Sequence, residues 1–276
     1  LSRVVVKFLQ QNKNYERTLA LDFFLIVKLA LYTLPVLFLL ALQSDLGTAL
    51  VFAAIYCGIV LLSGVSWKII LPIFLTVSLL FAVFMLIFIS DGGRAFLHGL
   101  GMPTYQINRI SAWLHPFEYA QTITYQQAQG QIAIGSGGLL GQGFNVSNLL
   151  VPVRESDMIF TVIAEDFGFL GSSLVIVIYL FLIHRMLQIT IKSTYISTGL
   201  IMMLLFHIFE NIGAVTGILP LTGIPLPFIS QGGSSIVSNL IGIGLLLSVS
   251  YQNSLEEEKH AVTPPVRKKI VLRKIK

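Results

Sequence analysis

The chain has 276 residues, of which 55% are apolar and only 11% are Asp, Glu, Lys or Arg, where a soluble domain carries roughly a quarter charged. That shortfall excludes an ordinary water-soluble globule and predicts an all-α, polytopic membrane protein. The formal charge of +5 points to anionic lipid beside the bilayer and not to nucleic acid, once the basic residues are placed along the chain.

In chain order, residues 1–20 form a polar, basic lead segment. A spanning helix needs about 20 mostly apolar residues, and six runs qualify: 21–42, 48–64, 69–89, 158–183, 195–218 and 232–251. The second is near the short limit and is expected to extend by a few residues. Three spans thus fill 21–89, a long loop fills 90–157, three more spans fill 158–251, and 252–276 is a basic tail whose Glu-rich and Pro-Pro composition cannot bury enough surface to fold alone. Lys and Arg stay on the cytoplasmic side. With the N-terminus inside, 14 of the 18 fall there, Arg94, Arg109 and Arg154 fall outside, and Lys28 lies within a span. Both termini are therefore expected in the cytoplasm and the 90–157 loop outside. The single cysteine, Cys57, sits in an apolar run with no His or Cys nearby and reads as a packing residue.

Polar groups at membrane depth are functional by default. Lys28 lies about two turns inside its span, where it snorkels to the cytoplasmic surface or binds a lipid phosphate. The turn Gln43 to Gly47 brings the carboxylate of Asp45 to the outer side. From Tyr105, the spacing of Ile107, Ile110, Trp113 and Leu114 predicts a helix lying in the membrane surface. Gln121 to Ile134 is rich in Gln, and the five glycines of Gly135–Gly143 predict irregular backbone, either a tight turn or N–H groups offered to an anionic ligand. Asn145-Val146-Ser147 matches a short glycosylation pattern. Then Pro152 to Phe160 places Arg154, Glu155 and Asp157 at the lip of a long apolar helix. Ser156 or Asp157 would suit its N-cap, but capping leaves Glu165 and Asp166, two turns deeper, unexplained. Glu165 falls near the face of Asp157, and Asp166 points away. Glu210 and Asn211, midway along a span, should face a partner helix or a wet cavity. Leu219 to Ser235 reads as a Pro- and Gly-rich outer re-entry, and together these predict a polar cavity open to the outside, roofed by the 90–157 loop.

These residues resemble the SEDS family (shape, elongation, division and sporulation). The matching pieces are Gln43-Ser-Asp-Leu-Gly-Thr-Ala49, Arg109-Ile with Trp-Leu-His-Pro116, Gln129-Gly-Gln-Ile-Ala-Ile-Gly-Ser-Gly-Gly138, Glu155-Ser-Asp-Met-Ile-Phe160, Asn211-Ile-Gly213 and Pro220 through Ser235. They span nearly the whole chain in the family's order, and the Ile-Ala-Ile-Gly-Ser-Gly-Gly form is closer to the RodA branch than to the FtsW branch. The chain departs from the commonest pattern at Ser44, Met158, Asp166 and Gln231. The family has ten spans, which implies four more upstream of Leu1.

The resemblance implies a peptidoglycan glycosyltransferase of cell elongation. It would polymerise lipid II on the outer face of the bacterial cell membrane, beside a class B penicillin-binding protein. Asp157 matches the family's essential loop aspartate and would be the general base, removing the proton from the acceptor hydroxyl as it attacks the anomeric carbon. The pyrophosphate leaves without protonation, so one carboxylate suffices where inverting glycosidases need two. Arg109 and Arg154 would hold the pyrophosphate, Gln129, Lys28, Asp45 and Glu165 complete the expected substrate-binding set, and the isoprenoid would lie in an apolar groove. No spacing identifies a metal site, although a divalent cation, Mg or Mn, would share the neutralisation. Two rivals remain: a lipid II flippase, which would need charges along the whole depth, and a non-catalytic scaffold for the penicillin-binding protein.

Overall fold

The computed structural model describes residues 1–12, 18–118, 124–144, 151–192 and 195–262; Gln121–Ile123, the Asn145 pattern and the basic tail from 263 onward lie outside them. Among the described residues the secondary structure is helical throughout: α1 (Ser2–Gln11), α2 (Leu19–Leu42), α3 (Leu46–Leu62), α4 (Trp67–Ile89), α5 (Asp91–Gly99), α6 (Thr104–Leu114), α7 (Tyr125–Ser136), α8 (Ile159–Lys192), α9 (Tyr195–Val215) and α10 (Gly233–Val262).

All six apolar runs are helices. Stretches within α2, α4, α8, α9 and α10 are long and apolar enough to cross a bilayer, and α3 is the short sixth. The expected lengthening of α3 is absent. It stays at 17 residues because Asp45 caps its start, accepting from Thr48 N at 3.0 Å, and Ser63 and Gly64 turn the chain at its end. It gains instead by close packing: a Cβ on Gly58 would stand 2.2 Å from Met202 Cγ, so the glycine lets α9 approach. The amphipathic α1 buries Val5 and Phe8 against Leu25, Leu29 and Ile59. At the same end, buried Asp22 in the first turn of α2 accepts from Ser66 N at 2.9 Å and ties α2 to the start of α4. The most apolar span of α4 has none of its residues buried, an exposure that lipid tolerates and water does not. The α10 helix carries on through Glu256–Glu258 to Val262, so the tail begins as helix where the sequence suggested solvated chain.

Two irregular segments interrupt the helical pattern. The first is a break in α8 at Gly168 (φ 65°, ψ −161°), a conformation open essentially to glycine alone. The freed backbone groups pair with the glycine-rich segment. Gln142 N donates to Glu165 O (2.9 Å), Gly143 N to Asp166 O (3.1 Å), Phe169 N to Gly138 O (2.8 Å) and Leu170 N to Leu139 O (3.2 Å). The sequence left those glycine N–H groups between an anionic ligand and a turn. The structure makes a turn, with two of the segment's N–H groups bound to the broken helix. It also corrects the expected start of irregular backbone, since α7 runs through Gly130 and Gly135 to Ser136.

The second is the re-entry between α9 and α10, which bends at Gly217, Gly223 and Phe228, all with positive φ. Ser230 Oγ donates to Ser156 O at 2.6 Å, Gln231 N to Glu155 O at 2.8 Å, and Tyr179 Oη to Pro227 O. These bonds fix the re-entry against α8 and the turns before it. Met158 therefore stands at the N-cap position, with Thr161 N on its carbonyl at 3.0 Å, and Asp157 lies outside the helix.

Candidate functional site

Three elements converge on Asp157. The turns of 151–158 deliver it, the polar face of α6 brings Tyr105, Asn108 and Arg109, and the first turn of α7 brings Gln126 and Gln127. Together with Ala112 and Leu221 they line a cavity of about 260 Å³. The α6 helix forms where expected, and its i, i+3, i+4 spacing explains the division of its faces. Tyr105, Asn108, Arg109 and Ala112 fall toward the polar cavity, while Ile110 and Trp113 join a larger apolar one. That second cavity, about 510 Å³, is walled by Phe81, Phe84 and Met85 of α4 and Phe206, Phe209 and Glu210 of α9. Tyr105, Arg109 and Leu221 line both, so a polar chamber and an apolar groove meet at Arg109.

The walls are held by specific bonds. Arg109 Nη1 donates to Thr222 O at 2.9 Å, and the Thr222 hydroxyl donates to Glu210 Oε1. The neighbouring Asn211, 1% exposed, donates from Nδ2 to both Asp157 O (2.7 Å) and Ile224 O (2.8 Å). Adjacent residues of α9 thus clamp the re-entry and the backbone of Asp157 at once. Trp113 Nε1 donates to Gly217 O at 3.0 Å, and Tyr105 Oη donates to Ser44 O at 2.8 Å, which docks α6 on the re-entry and on the α2–α3 turn.

Asp157 is 9% exposed, and its Oδ1 has no hydrogen-bond partner among the described residues. Burial pushes its carboxyl above the usual carboxylate range, opposed by its own backbone N–H, by the Arg109 guanidinium and by the Gln126 amide. A buried carboxylate placed beside the Arg109 guanidinium is suited to accept a proton.

Of the residues expected to bind substrate, the structure brings Arg109 to Asp157 and places the others elsewhere. Arg154 is paired with Glu165, which is 1% exposed, so the two arginines do not surround one anion. Asp45 uses both carboxylate oxygens on Thr48, as the α3 cap. Lys28 lies against the Phe8 ring, 5.8 Å from its centroid. At about 1.5 Å per residue it is about 24 Å from Ser44, on whose carbonyl Tyr105 docks. Gln129 is half-buried on α7 but does not line the cavity; Gln126 and Gln127 do. The sequence missed Tyr105, Asn108, Gln126, Gln127 and Thr222. For the α6 pair the signal was available in the polar face opposite Ile110 and Trp113. For the glutamines it was blurred by Gly130 and Gly135, which lower helix propensity across α7. Among the described residues no cluster of three or more His, Cys, Asp or Glu could hold a metal ion.

Residues 2–255 match the model of the FTSW_RODA_SPOVE family, described as cell cycle proteins. The peptidoglycan glycosyltransferase MrdB of Escherichia coli K12 is 34% identical over 232 residues, covering 81% of this chain and 59% of its own length. The chain thus spans about three fifths of that relative. A chain from a peptidoglycan synthase complex, described as coordinating polymerization and crosslinking, superposes with a TM-score of 0.64 at 28% identity, covering 82% of this chain and 61% of that one. A mutant of the rod shape determining protein RodA of Thermus thermophilus does so with a TM-score of 0.54 at 25% identity, covering 91% and 63%.

Proposed function

The chain belongs to the FtsW/RodA/SpoVE family, and from that premise we propose that it carries the catalytic half of a lipid II polymerase acting at the outer face of the cell membrane. The observation that supports this most is the junction at Arg109. A polar chamber lined by one buried, half-partnered carboxylate adjoins there an apolar groove of about 510 Å³. Lipid II has the same division, an isoprenoid joined through pyrophosphate to a disaccharide.

The isoprenoid lies in the groove between α4 and α9, and the pyrophosphate meets Arg109. The acceptor sugar enters the chamber, where its 4-hydroxyl gives a proton to the Asp157 carboxylate as its oxygen bonds to the anomeric carbon of the donor. The bond from that carbon to the pyrophosphate breaks at the same time, and the pyrophosphate leaves with its electron pair, unprotonated. Arg109 offsets the charge developing on it. A Mg or Mn ion would enter only as a companion of the pyrophosphate, and no step depends on it. The 90–157 segment faces outward and both termini face the cytoplasm, as the distribution of Lys and Arg requires. A class B penicillin-binding protein, the cross-linking partner, docks through lipid-facing helices.

Polymerisation of purified lipid II by the intact protein tests this. Arg109→Gln is expected to raise KM for lipid II at least tenfold, through loss of a charge-assisted contact. An unchanged KM, or no polymer from the wild type, would contradict it.

A further inference from the structure

Gln127 has features that the mechanism above does not use. It is 2% exposed, it lines the Asp157 cavity, and neither Oε1 nor Nε2 has a hydrogen-bond partner among the described residues. A buried carboxamide with both ends unpaired is costly and uncommon. Its place is set by packing: one turn on, Gly130 lies so close to α8 that a Cβ there would be 2.4 Å from Met158 Cε. Positions three apart share a helix face, so the contact that seats α7 beside Met158 also turns Gln127 toward the neighbouring Asp157.

A carboxamide offers a donor and an acceptor side by side. Resting on the polymerase reading, we propose that Gln127 recognises the acceptor sugar. Its amide donates to the acetamido carbonyl of an N-acetylhexosamine and accepts from the adjacent ring hydroxyl, which places the 4-hydroxyl of that sugar at Asp157. Gln127 is then the specificity residue for the acceptor: a site whose buried polar groups are completed by the ligand rejects a sugar that leaves them unpaired.

The test uses the intact protein with its cross-linking partner in nanodiscs, supplied either with lipid II or with lipid II lacking the N-acetyl group on its terminal glucosamine. The wild type is expected to favour native lipid II at least tenfold in kcat/KM. Gln127→Leu is expected to lose about tenfold on native lipid II and nothing on the deacetylated form, so that the preference disappears. Its unfolding midpoint should equal or exceed that of the wild type, because an apolar side chain of similar size replaces an unpaired amide. A variant that keeps both rates and the preference overturns the inference and leaves the polymerase reading in place. A variant that loses both rates equally, with a lower unfolding midpoint, shows Gln127 to be structural and also overturns it. No polymer from the wild type with either lipid overturns the polymerase reading, and the inference with it.

Discussion

Arg154, half-buried, forms an ion pair with Glu165, which is 1% exposed and whose Oε1 has no partner among the described residues. Removing one partner of such a pair leaves an uncompensated charge, whereas replacing both with apolar groups is often neutral. Arg154→Met alone is therefore expected to cost about 3 kcal/mol, and adding Glu165→Leu should recover most of it, as read by thermal unfolding in nanodiscs. An Arg154→Met protein with normal stability and a raised KM for lipid II would instead return Arg154 to the substrate. Asp157 has the opposite character. Its pKa is raised in the fold by burial, so ionisation there disfavours folding. That penalty is absent below the unfolded-state pKa and grows as pH rises toward the folded-state value. Asp157→Asn removes it and should be at least as stable as the wild type at neutral pH. The charged members of the site were legible in the sequence because a carboxylate or guanidinium beside a spanning helix is unusual. Gln127 was not, since a glutamine in an outer loop carries no such signal until its burial is known.

At the scale of elements, the apolar runs predicted the start of all six helices within about two residues, because about 20 apolar residues have few alternatives in lipid, but α8 and α10 run about nine and eleven residues past the expected ends. The break in α8 escaped, since Phe167, Phe169 and Leu170 continue the apolar pattern across it. What the sequence did show was its counterpart, the glycines of 135–143, without the partner that explains them. At Gly168 a Cβ would stand 2.3 Å from Gly141 N, and at Gly141 it would stand 2.1 Å from Asp166 O. Gly168→Ala adds this clash to a positive φ and should cost roughly 2 kcal/mol or more. At Gly135 nothing lies within 4 Å of a Cβ, so Gly135→Ala should be neutral or slightly stabilising. Equal unfolding temperatures for the two variants would argue against the interlocked loop. The loop fixes α7 to α8, and with it the two glutamines to Asp157.

The whole molecule is a multi-pass membrane protein whose chemistry gathers at one end. Asp157, Arg109, Glu210 and Asn211 meet around the re-entry, while Lys28 and α1 pack at the other end. Transport through the membrane would call on charges along the whole depth, whereas polymerisation would call on the group around the re-entry alone. The measurement that tests the account most directly is glycan synthesis from purified lipid II by the intact protein with its cross-linking partner, comparing the wild type with Asp157→Asn in matched membranes. Polymer is expected from the wild type and none from Asp157→Asn, although that variant inserts, folds and unfolds no earlier. Equal polymer from both would remove Asp157 as the base, and no polymer from either, beside an active control enzyme, would contradict the polymerase assignment.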